Sequence, residues 1–118
     1  MAAAKVDLPV IEKGATWRHT LLWRDAGGTA IDLTGAAARL QIRETAEQAE
    51  YLLDLSSDNG GILITPLLGQ LELVISAALT GAVVGRSGVY DLEIYHANGE
   101  VTRLIEGSVV FKPEVTRS

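Results

Sequence analysis

The chain has 118 residues, with no cysteine, 47% hydrophobic residues, 21% charged residues and a formal charge of −5. This composition predicts one folded domain, and the lack of cysteine excludes a disulfide framework and thiolate metal sites. Because a net negative charge opposes attraction to phosphate backbones and anionic membranes, neither nucleic acid nor a membrane is an expected partner. No apolar run approaches the ~20 residues of a spanning helix. Residues 1–5 lack the apolar core of a signal peptide, so we expect synthesis in the cytoplasm.

The N-terminal part of the chain predicts an arm followed by two strands. Residues 1–7 carry no periodicity and are expected to form the arm, whereas residues 8–13 are a short strand candidate. Pro9 cannot donate a ladder hydrogen bond, so this strand starts at a sheet edge or has Pro9 at its first position. Residues 16–24 predict a stronger strand, because two sets of side chains alternate along it. One face carries the two tryptophans that we expect to anchor the core, and it comprises Trp17, His19, Leu21 and Trp23.

The next strand has one basic face. After turns at residues 25–28 and 34–35, residues 36–43 alternate between an apolar side and a side that carries Arg39 and Arg43. With Arg18 and Arg24 of the preceding strand, these arginines form a basic patch if the strands are adjacent. A solvated face paired with carboxylates is the default interpretation.

Three further short strands are predicted before the C-terminal hairpin. Residues 44–50 contain helix formers but are too few for a helix, so we expect a loop or one turn. The strands span residues 51–55, 62–65 and 70–76. Ser76 is then expected to cap a helical turn that stops at Gly81.

The strongest local signal is a hairpin formed by residues 88–95 and 101–105, with its turn at Asn98 and Gly99. A three-residue loop over 97–99 would set Leu92 opposite Leu104 and Glu93 opposite Arg103. A four-residue loop would instead set Ile94 opposite Arg103 and Asp91 opposite Glu106. We prefer the first register, because like charges directly opposite each other are destabilising. Gly107 then predicts a bulge or bend before a strand over 108–111.

About seven to nine short strands joined by Gly, Asn and Asp turns favour an all-β fold, an antiparallel β-sandwich that is Ig-like or a related small barrel with one short helical turn. The predicted domain spans residues 8–112, between the arm over 1–7 and a polar tail over 113–118. The predicted core comprises Trp17, Leu21, Trp23, Leu40, Ile42, Leu71, Leu73, Tyr90, Leu92, Ile94, Leu104 and Phe111.

The sequence predicts no enzyme. His19 and His96 lie on different elements, and no cysteine accompanies them as a metal ligand. Ser56, His96 and Asp91 supply the residue types of a catalytic triad, but no GxSxG elbow is present. The acidic turn over 54–61 lacks the ligand spacing of a calcium loop, and the glycines over 81–87 lack the lysine of a phosphate-binding loop. We therefore expect no catalytic residue, no metal and no cofactor.

An ordered set of motifs resembles a family of small proteins and N-terminal domains in tailed bacteriophages and prophages, in particular the N-terminal domain of baseplate upper proteins. The resemblance covers about residues 10–116. The motifs are residues 23–25, Gly28, residues 31–35, residues 38–43, Gly69, residues 90–93 and residues 103–107. The resemblance implies a β-sandwich that docks receptor-binding appendages onto the virion. Baseplate upper proteins continue into a stalk, whereas this sequence ends at Ser118, so baseplate, tail and neck or collar all remain open.

We therefore expect a virion structural protein, an adaptor made in the host cytoplasm that assembles in several copies and contacts other phage structural proteins. The alternative is a carbohydrate-binding module that recognises host glycans through exposed aromatics such as Tyr51 or Tyr95. The termini and the Pro9 strand are expected to lack a partner inside the domain and to contact other subunits. The predicted partner-binding residues are Pro9, Arg18, Arg39, Arg43, Pro113 and Glu114.

Overall fold

The computed structural model describes residues 3–116 and confirms the predicted all-β, sandwich-like fold. Met1, Ala2, Arg117 and Ser118, which belong to the predicted arm and tail, lie outside the described residues. The strands are β1 (Ala4–Lys5), β2 (Ile11–Glu12), β3 (Trp17–Leu22), β4 (Ala37–Arg43), β5 (Leu53–Ser56), β6 (Ile62–Thr65), β7 (Gln70–Ile75), β8 (Ser87–Tyr95) and β9 (Val101–Lys112). A 3-10 turn spans Pro66–Leu68, and the helical turn α1 spans Ala77–Ala82.

The strands form two sheets. The larger has six strands in the order β1-β9-β8-β4-β5, with β2 also paired to β9, and the smaller has the order β3-β7-β6. All pairings are antiparallel except those of β1 and β2, which both run parallel to β9. The N-terminal segment therefore covers one edge of the large sheet before the chain crosses to β3 in the small one.

Alternation along the strands places one apolar face of each sheet in a shared core. The fully buried residues include Leu40 and Ile42 from β4, Leu71 and Leu73 from β7, and Phe111 from β9. Most of the predicted core is buried, but Leu21, Trp23 and Leu104 are only partly buried. Leu21 lies on an edge strand and Trp23 just beyond it, so one side of each is open to solvent.

The hairpin has the predicted loop but carries an unpredicted bulge. Gly99 has φ +92°, and Glu93 pairs with Arg103 as expected. The register then shifts, so that Leu92 pairs with Ile105 rather than Leu104, and Asp91 lies opposite Glu106. Without this shift Glu106 would face Tyr90 on the buried side of the sheet. The bulge keeps the Glu106 carboxylate on the solvent side, where it costs less than a buried charge.

The prediction of a bulge at Gly107 is wrong, because β9 passes through it without a break and Gly107 pairs with Tyr90. A Cβ at this position would collide with the Val6 carbonyl group. Gly107 is therefore required by the close approach of the N-terminal segment, rather than by a bend in the strand.

The expectation that the arm has no partner inside the domain is wrong for its described part. β1 pairs with Ile105 and Glu106 of β9, and the Val6 N–H donates to the Glu106 carbonyl oxygen at 2.8 Å. The Tyr90 hydroxyl also donates to the carbonyl oxygen of Val6. An extended segment beside β9 satisfies backbone groups that the edge would otherwise expose.

The predicted helical turn is confirmed, with a different end. Ser76 caps it by accepting a hydrogen bond from the Leu79 N–H at 3.2 Å. Gly81 lies inside the helix, which ends at the cap residue Val83. The Thr80 hydroxyl is fully buried and donates to the Ala15 carbonyl oxygen at 2.8 Å, which joins the helix to the turn before β3.

Candidate functional site

The six predicted partner-binding residues lie on three separate parts of the surface. Arg39 and Arg43 share the solvent side of β4 in the large sheet, whereas Arg18 lies on β3 in the small sheet. The remaining three, Pro9, Pro113 and Glu114, lie in the terminal segments. The arginines therefore do not form the single basic patch that adjacent strands would have produced.

The solvent side of the large sheet, here called the charged face, carries rows of side chains from β5, β4, β8 and β9. One row places Arg39 beside Glu93 and Arg103, and the next places Gln41 beside Asp91 and Glu106. The charged face is defined by Arg39, Gln41, Arg43, Asp54, Asp91, Glu93, Arg103 and Glu106.

Arg39 is held by a two-pronged contact with Asp54 on β5. Its Nε and Nη2 donate to the two Asp54 carboxylate oxygens, each at 3.0 Å. This hydrogen bonding raises the pKa of Arg39 and lowers that of Asp54. Such planar pairing fixes the guanidinium in one orientation. Arg39 therefore contributes a positive charge with a fixed position and orientation to the charged face.

Arg103 lies between two carboxylates of β8. Its Nε is 3.4 Å from Asp91, and its Nη2 is 3.6 Å from Glu93. Burial raises the pKa of Asp91, while the neighbouring Arg103 opposes that shift and Glu93 and Glu106 add to it. The bulge in β9 brings Arg103 and Glu106 to the same side, because Arg103 lies opposite Glu93 and Glu106 lies opposite Asp91.

Arg43 holds a loop of its own domain. Its Nη1 donates to the carbonyl oxygens of Gln48 and Ala49 at 3.0 and 2.7 Å, and its Nη2 donates to the Gln41 side chain at 2.7 Å. These contacts close the predicted loop over 44–50 onto the sheet. Together with β8, β9 and the N-terminal segment, Arg43 and Gln41 line an open depression of about 660 Å³.

Arg18 marks the open edge of the small sheet. Its Nη1 lies 3.7 Å from Glu72 on β7, and its side chain is 60% exposed. In the part of the chain that the structure describes, β3 pairs with β7 alone, so the other long edge of β3 has no partner strand.

The three predicted site residues near the chain ends, Pro9, Pro113 and Glu114, lie close to the β2–β9 pair. Pro9 is exposed just before β2, and the Lys112 Nζ is 3.9 Å from the Glu12 carboxylate across the β2–β9 pair. Pro113 and Glu114 follow β9 and are exposed, and the Glu114 carboxylate lies against Gly14. The described part of the tail therefore runs beside the turn that precedes β3.

Neither aromatic proposed for glycan binding pairs with a second aromatic ring in the part of the chain that the structure describes. Tyr51 is 52% exposed and lies at an open depression of about 490 Å³ with Asp54, Asn59 and Leu79. The Asn59 side chain is occupied within its own turn, where it accepts hydrogen bonds from the N–H groups of Ser56 and Gly61, each at 2.9 Å. The Tyr95 hydroxyl donates to Glu93 at 3.0 Å.

The residue types of a catalytic triad are not brought together as a relay. Ser56 Oγ accepts hydrogen bonds from the backbone of its own turn, His96 Nε2 lies 2.9 Å from Thr102 Oγ1, and Asp91 pairs with Arg103. Among residues 3–116, no group of three or more His, Asp and Glu side chains is arranged to hold a metal ion. What the geometry offers is a pair of interaction surfaces, the charged face and the open edge of β3.

Of the charged face, only Arg39 and Arg43 were predicted as site residues, although the hairpin register already set Glu93 opposite Arg103. Glu106 was not expected on this face, because the unbulged register placed it on the opposite side of the sheet. A signal was present, since a charged residue assigned to the buried side calls for an extra residue in the strand.

Comparison with known proteins adds no identity. No protein-family model matches the chain, and a search of curated proteins finds no match. Within the described range, no helix is both long and apolar enough to cross a membrane.

Proposed function

We propose that the chain is a structural component of a tailed phage virion, an adaptor that attaches an appendage at the baseplate, tail, neck or collar. The supporting observation is where the motifs of the phage resemblance lie. Residues 38–43, 90–93 and 103–107 fall on β4, β8 and β9, which are adjacent in the large sheet. Residues that are scattered along the sequence therefore build one continuous surface, the charged face.

The turn motif over 31–35 supports the same proposal through its structural role. The Asp32 carboxylate accepts a hydrogen bond from the Thr34 N–H at 2.9 Å, and Gly35 has φ +76°. This turn leads directly into β4. The resemblance therefore includes both the strands of the charged face and the reversal that positions the first of them.

An adaptor needs surfaces for more than one neighbour, and this domain offers two. The charged face presents ordered cations and carboxylates, which suit recognition by charge complementarity. The open edge of β3 presents backbone donors and acceptors, which suit addition of a strand. The proposed partners are other phage structural proteins and further copies of this chain, and the proposed location is the virion.

The experiment that tests the proposal is analysis of particles of the phage or prophage that encodes the chain. Washed, purified particles are examined by mass spectrometry and by cryo-electron microscopy. The expected result is the chain in a fixed ratio to tail or neck proteins, with density for a two-sheet domain at that position. A chain found in the cell lysate but missing from washed particles would refute the virion role.

A matched pair of variants tests the use of the charged face. Arg103→Gln removes the cation between Asp91 and Glu93, so the face becomes more negative and incorporation into particles should fall. Arg24→Gln is the control, because Arg24 is exposed and, within residues 3–116, its side chain hydrogen-bonds only to the Gly28 carbonyl oxygen of its own hairpin, at 3.4 Å. Equal incorporation of the two variants would exclude the charged face as the docking surface.

The alternative function, glycan binding, is favoured by one observation, the half-exposed Tyr51 at an open depression. It ranks second because Asp54, Asn59 and Ser76, which line that depression, already bond within the domain. A glycan array probed with the folded protein separates the two functions. Binding that Tyr51→Ala abolishes would establish the module, and an array without signal would remove it.

A further inference from the structure

The open edge of β3 presents a defined set of backbone groups. The Trp23 N–H donates to the Gly69 carbonyl oxygen at 2.8 Å, in the same register that pairs β3 with β7. In an antiparallel ladder, alternate residues direct both backbone groups to the same neighbour. The odd-numbered residues of β3 therefore bond to β7. Arg18, Thr20 and Leu22 direct their N–H and C=O groups to the open edge.

The other side of β7 supports this assignment independently. The Val74 N–H donates to the Gly61 carbonyl oxygen at 2.9 Å, so the even-numbered residues of β7 bond to β6. Its odd-numbered residues are left for β3, and they lie opposite the odd-numbered residues of that strand. Both ladders thus agree on which groups of β3 remain unpaired.

We propose that β3 of one molecule pairs antiparallel with β3 of a second copy, about a twofold axis at Thr20. The two Thr20 residues then lie opposite each other, and Arg18 of each copy lies opposite Leu22 of the other. All outward-directed groups of both strands are paired with each other. The two small sheets become one continuous sheet across the dimer, and the contact is isologous, so it closes.

Cross-strand side-chain pairing selects this register over its two neighbours. An axis at His19 would set the two His19 side chains against each other and would leave Leu22 opposite the turn before β3. An axis at Leu21 would set Arg18 opposite Arg24 of the second copy, and like charges directly opposite are destabilising. The axis at Thr20 gives a Thr–Thr pair, which is a favourable cross-strand pair, and opposes no like charges.

The inward side of the edge also fits a second copy. In the Thr20 register, Trp17 faces Trp23 of the other molecule, and His19 faces its Leu21. Trp23, His19 and Leu21 are only partly buried although they point towards the core side. A neighbouring strand would cover the sides that the open edge leaves exposed, and adjacent aromatic side chains add to the pairing.

The rest of the molecule singles out β3 as the edge that is left for a partner. β1 and β2 cover the edge of the large sheet at β9, and the other two sheet edges, β5 and β6, have only four residues each. β3 has six residues and no proline, lysine or bulge to block its edge, and its one arginine, Arg18, pairs with Glu72 of the same sheet. The dimer does not depend on the virion role and is tested on the purified chain.

Disulfide trapping tests both the contact and its register, because the natural chain has no cysteine. In Thr20→Cys the two cysteines would be directly opposite, with Cα atoms about 5.5 Å apart, within the range that a disulfide spans. Leu22→Cys is the control, because its two cysteines would be about 13 Å apart along the strands. The expected result under mild oxidation is a covalent dimer of Thr20→Cys and none of Leu22→Cys. Equal cross-linking of the two variants, or none of Thr20→Cys, overturns the proposal.

Sedimentation velocity of the 118-residue chain gives the second measurement. A pairing of this size belongs with weak interfaces that bury less than about 1,200 Å², so the dimer is expected at high protein concentration. Thr20→Pro removes an outward N–H but no bond to β7, and it should remain a monomer; Thr20→Val keeps the N–H and should dimerise. A natural chain that stays monomeric at its highest soluble concentration overturns the proposal, as does growth beyond two copies, which indicates head-to-tail pairing. If Thr20→Pro fails to fold, the cross-linking of Thr20→Cys compared with Leu22→Cys decides whether the proposed dimer forms.

Discussion

The hydroxyl of Tyr90 should stabilise the domain by tying the N-terminal segment to the large sheet. Tyr90 is 4% exposed on β8, and its hydroxyl donates to the Val6 carbonyl oxygen across the gap that Gly107 leaves. Tyr90→Phe removes this single hydrogen bond and keeps the ring in the core. The expected loss is about 1 kcal/mol.

Urea denaturation measures this loss, and Tyr95→Phe is its matched control. Tyr95 lies on the same strand, but its hydroxyl makes a solvent-exposed hydrogen bond to Glu93, so its removal should change stability by less than about 0.5 kcal/mol. Amide exchange gives a local readout, because the Val6 and Leu8 N–H groups bond to β9 at 2.8 and 3.1 Å. Both amides should exchange faster in Tyr90→Phe. Equal losses in the two variants, with unchanged exchange at Val6, would refute the reasoning.

The same hydroxyl should make stability depend on alkaline pH. Burial, with a smaller contribution from the Asp7 charge, raises the pKa of Tyr90 to about 12 from its ordinary value of 10.0. A group whose pKa is raised by folding contributes stability that is complete below its unfolded pKa and is lost as the pH rises through the folded value. The natural chain should therefore lose stability relative to Tyr90→Phe between these two values. Parallel stability curves for the two proteins would contradict the assignment.

Further variants test the core and the charged face. Trp17→Ala should cost about 3–5 kcal/mol, and Trp23→Ala roughly half as much, because Trp23 is only partly buried; equal shifts in urea midpoint would contradict the edge position of Trp23. Asp54→Asn should cost about 0.5 kcal/mol at neutral pH, since it breaks the pair with Arg39. Because that pair lowers the pKa of Asp54, its contribution is present above 3.8 and should disappear in acid titration as the pH falls through the folded pKa. Asp91→Asn should change the free energy of unfolding in the opposite direction and slightly stabilise the domain at neutral pH, because burial raises the pKa of Asp91 and disfavours its charged form. Thermal melts in which both Asn variants shift the melting temperature in the same direction would refute this difference.

Strands with a strict alternation were predictable from the sequence. In β4 the buried Ala38, Leu40 and Ile42 alternate with more exposed neighbours, and the pattern alone assigns both faces. The hairpin loop was predictable for a similarly local reason, since Gly99 accepts a positive φ without a steric cost. Both features depend on residues that are close together in the sequence.

The bulge in β9 was not predicted, because cross-strand pairs were weighed near the turn and the register was then extended unchanged. The attraction between opposite charges favoured the register that pairs Glu93 with Arg103, and that pair is present. Farther from the turn, burial determines the register, because the Glu106 carboxylate cannot face the core opposite Tyr90. Like charges at Asp91 and Glu106 are accepted instead, because both groups reach solvent and Arg103 lies 3.4 Å from Asp91. A surface repulsion costs less than a buried carboxylate.

The pairing of the N-terminal segment could not be read from local pattern. β1 and β2 have two residues each, which is too short for any periodicity, and they run parallel to β9. Their position depends on contacts between distant residues, such as Tyr90 with Val6. Gly107 was recognised as special, but a glycine required by close approach of another segment has the same sequence signal as one required by a bend.

The two candidate surfaces assign different roles to the predicted arginines. Arg39 and Arg43 bond to Asp54 and to the loop over 44–50, so they shape the charged face more than they reach beyond it. Arg18 pairs with Glu72 and, among the residues that the structure describes, lies beside backbone groups of β3 that have no partner strand. Backbone pairing at β3 would supply attraction with little dependence on side-chain identity, whereas Arg18 would exclude registers that bring two arginines together. In this arrangement backbone pairing at the edge would provide affinity and Arg18 would fix the register. The twofold symmetry of the contact would then limit the assembly at this edge to two copies.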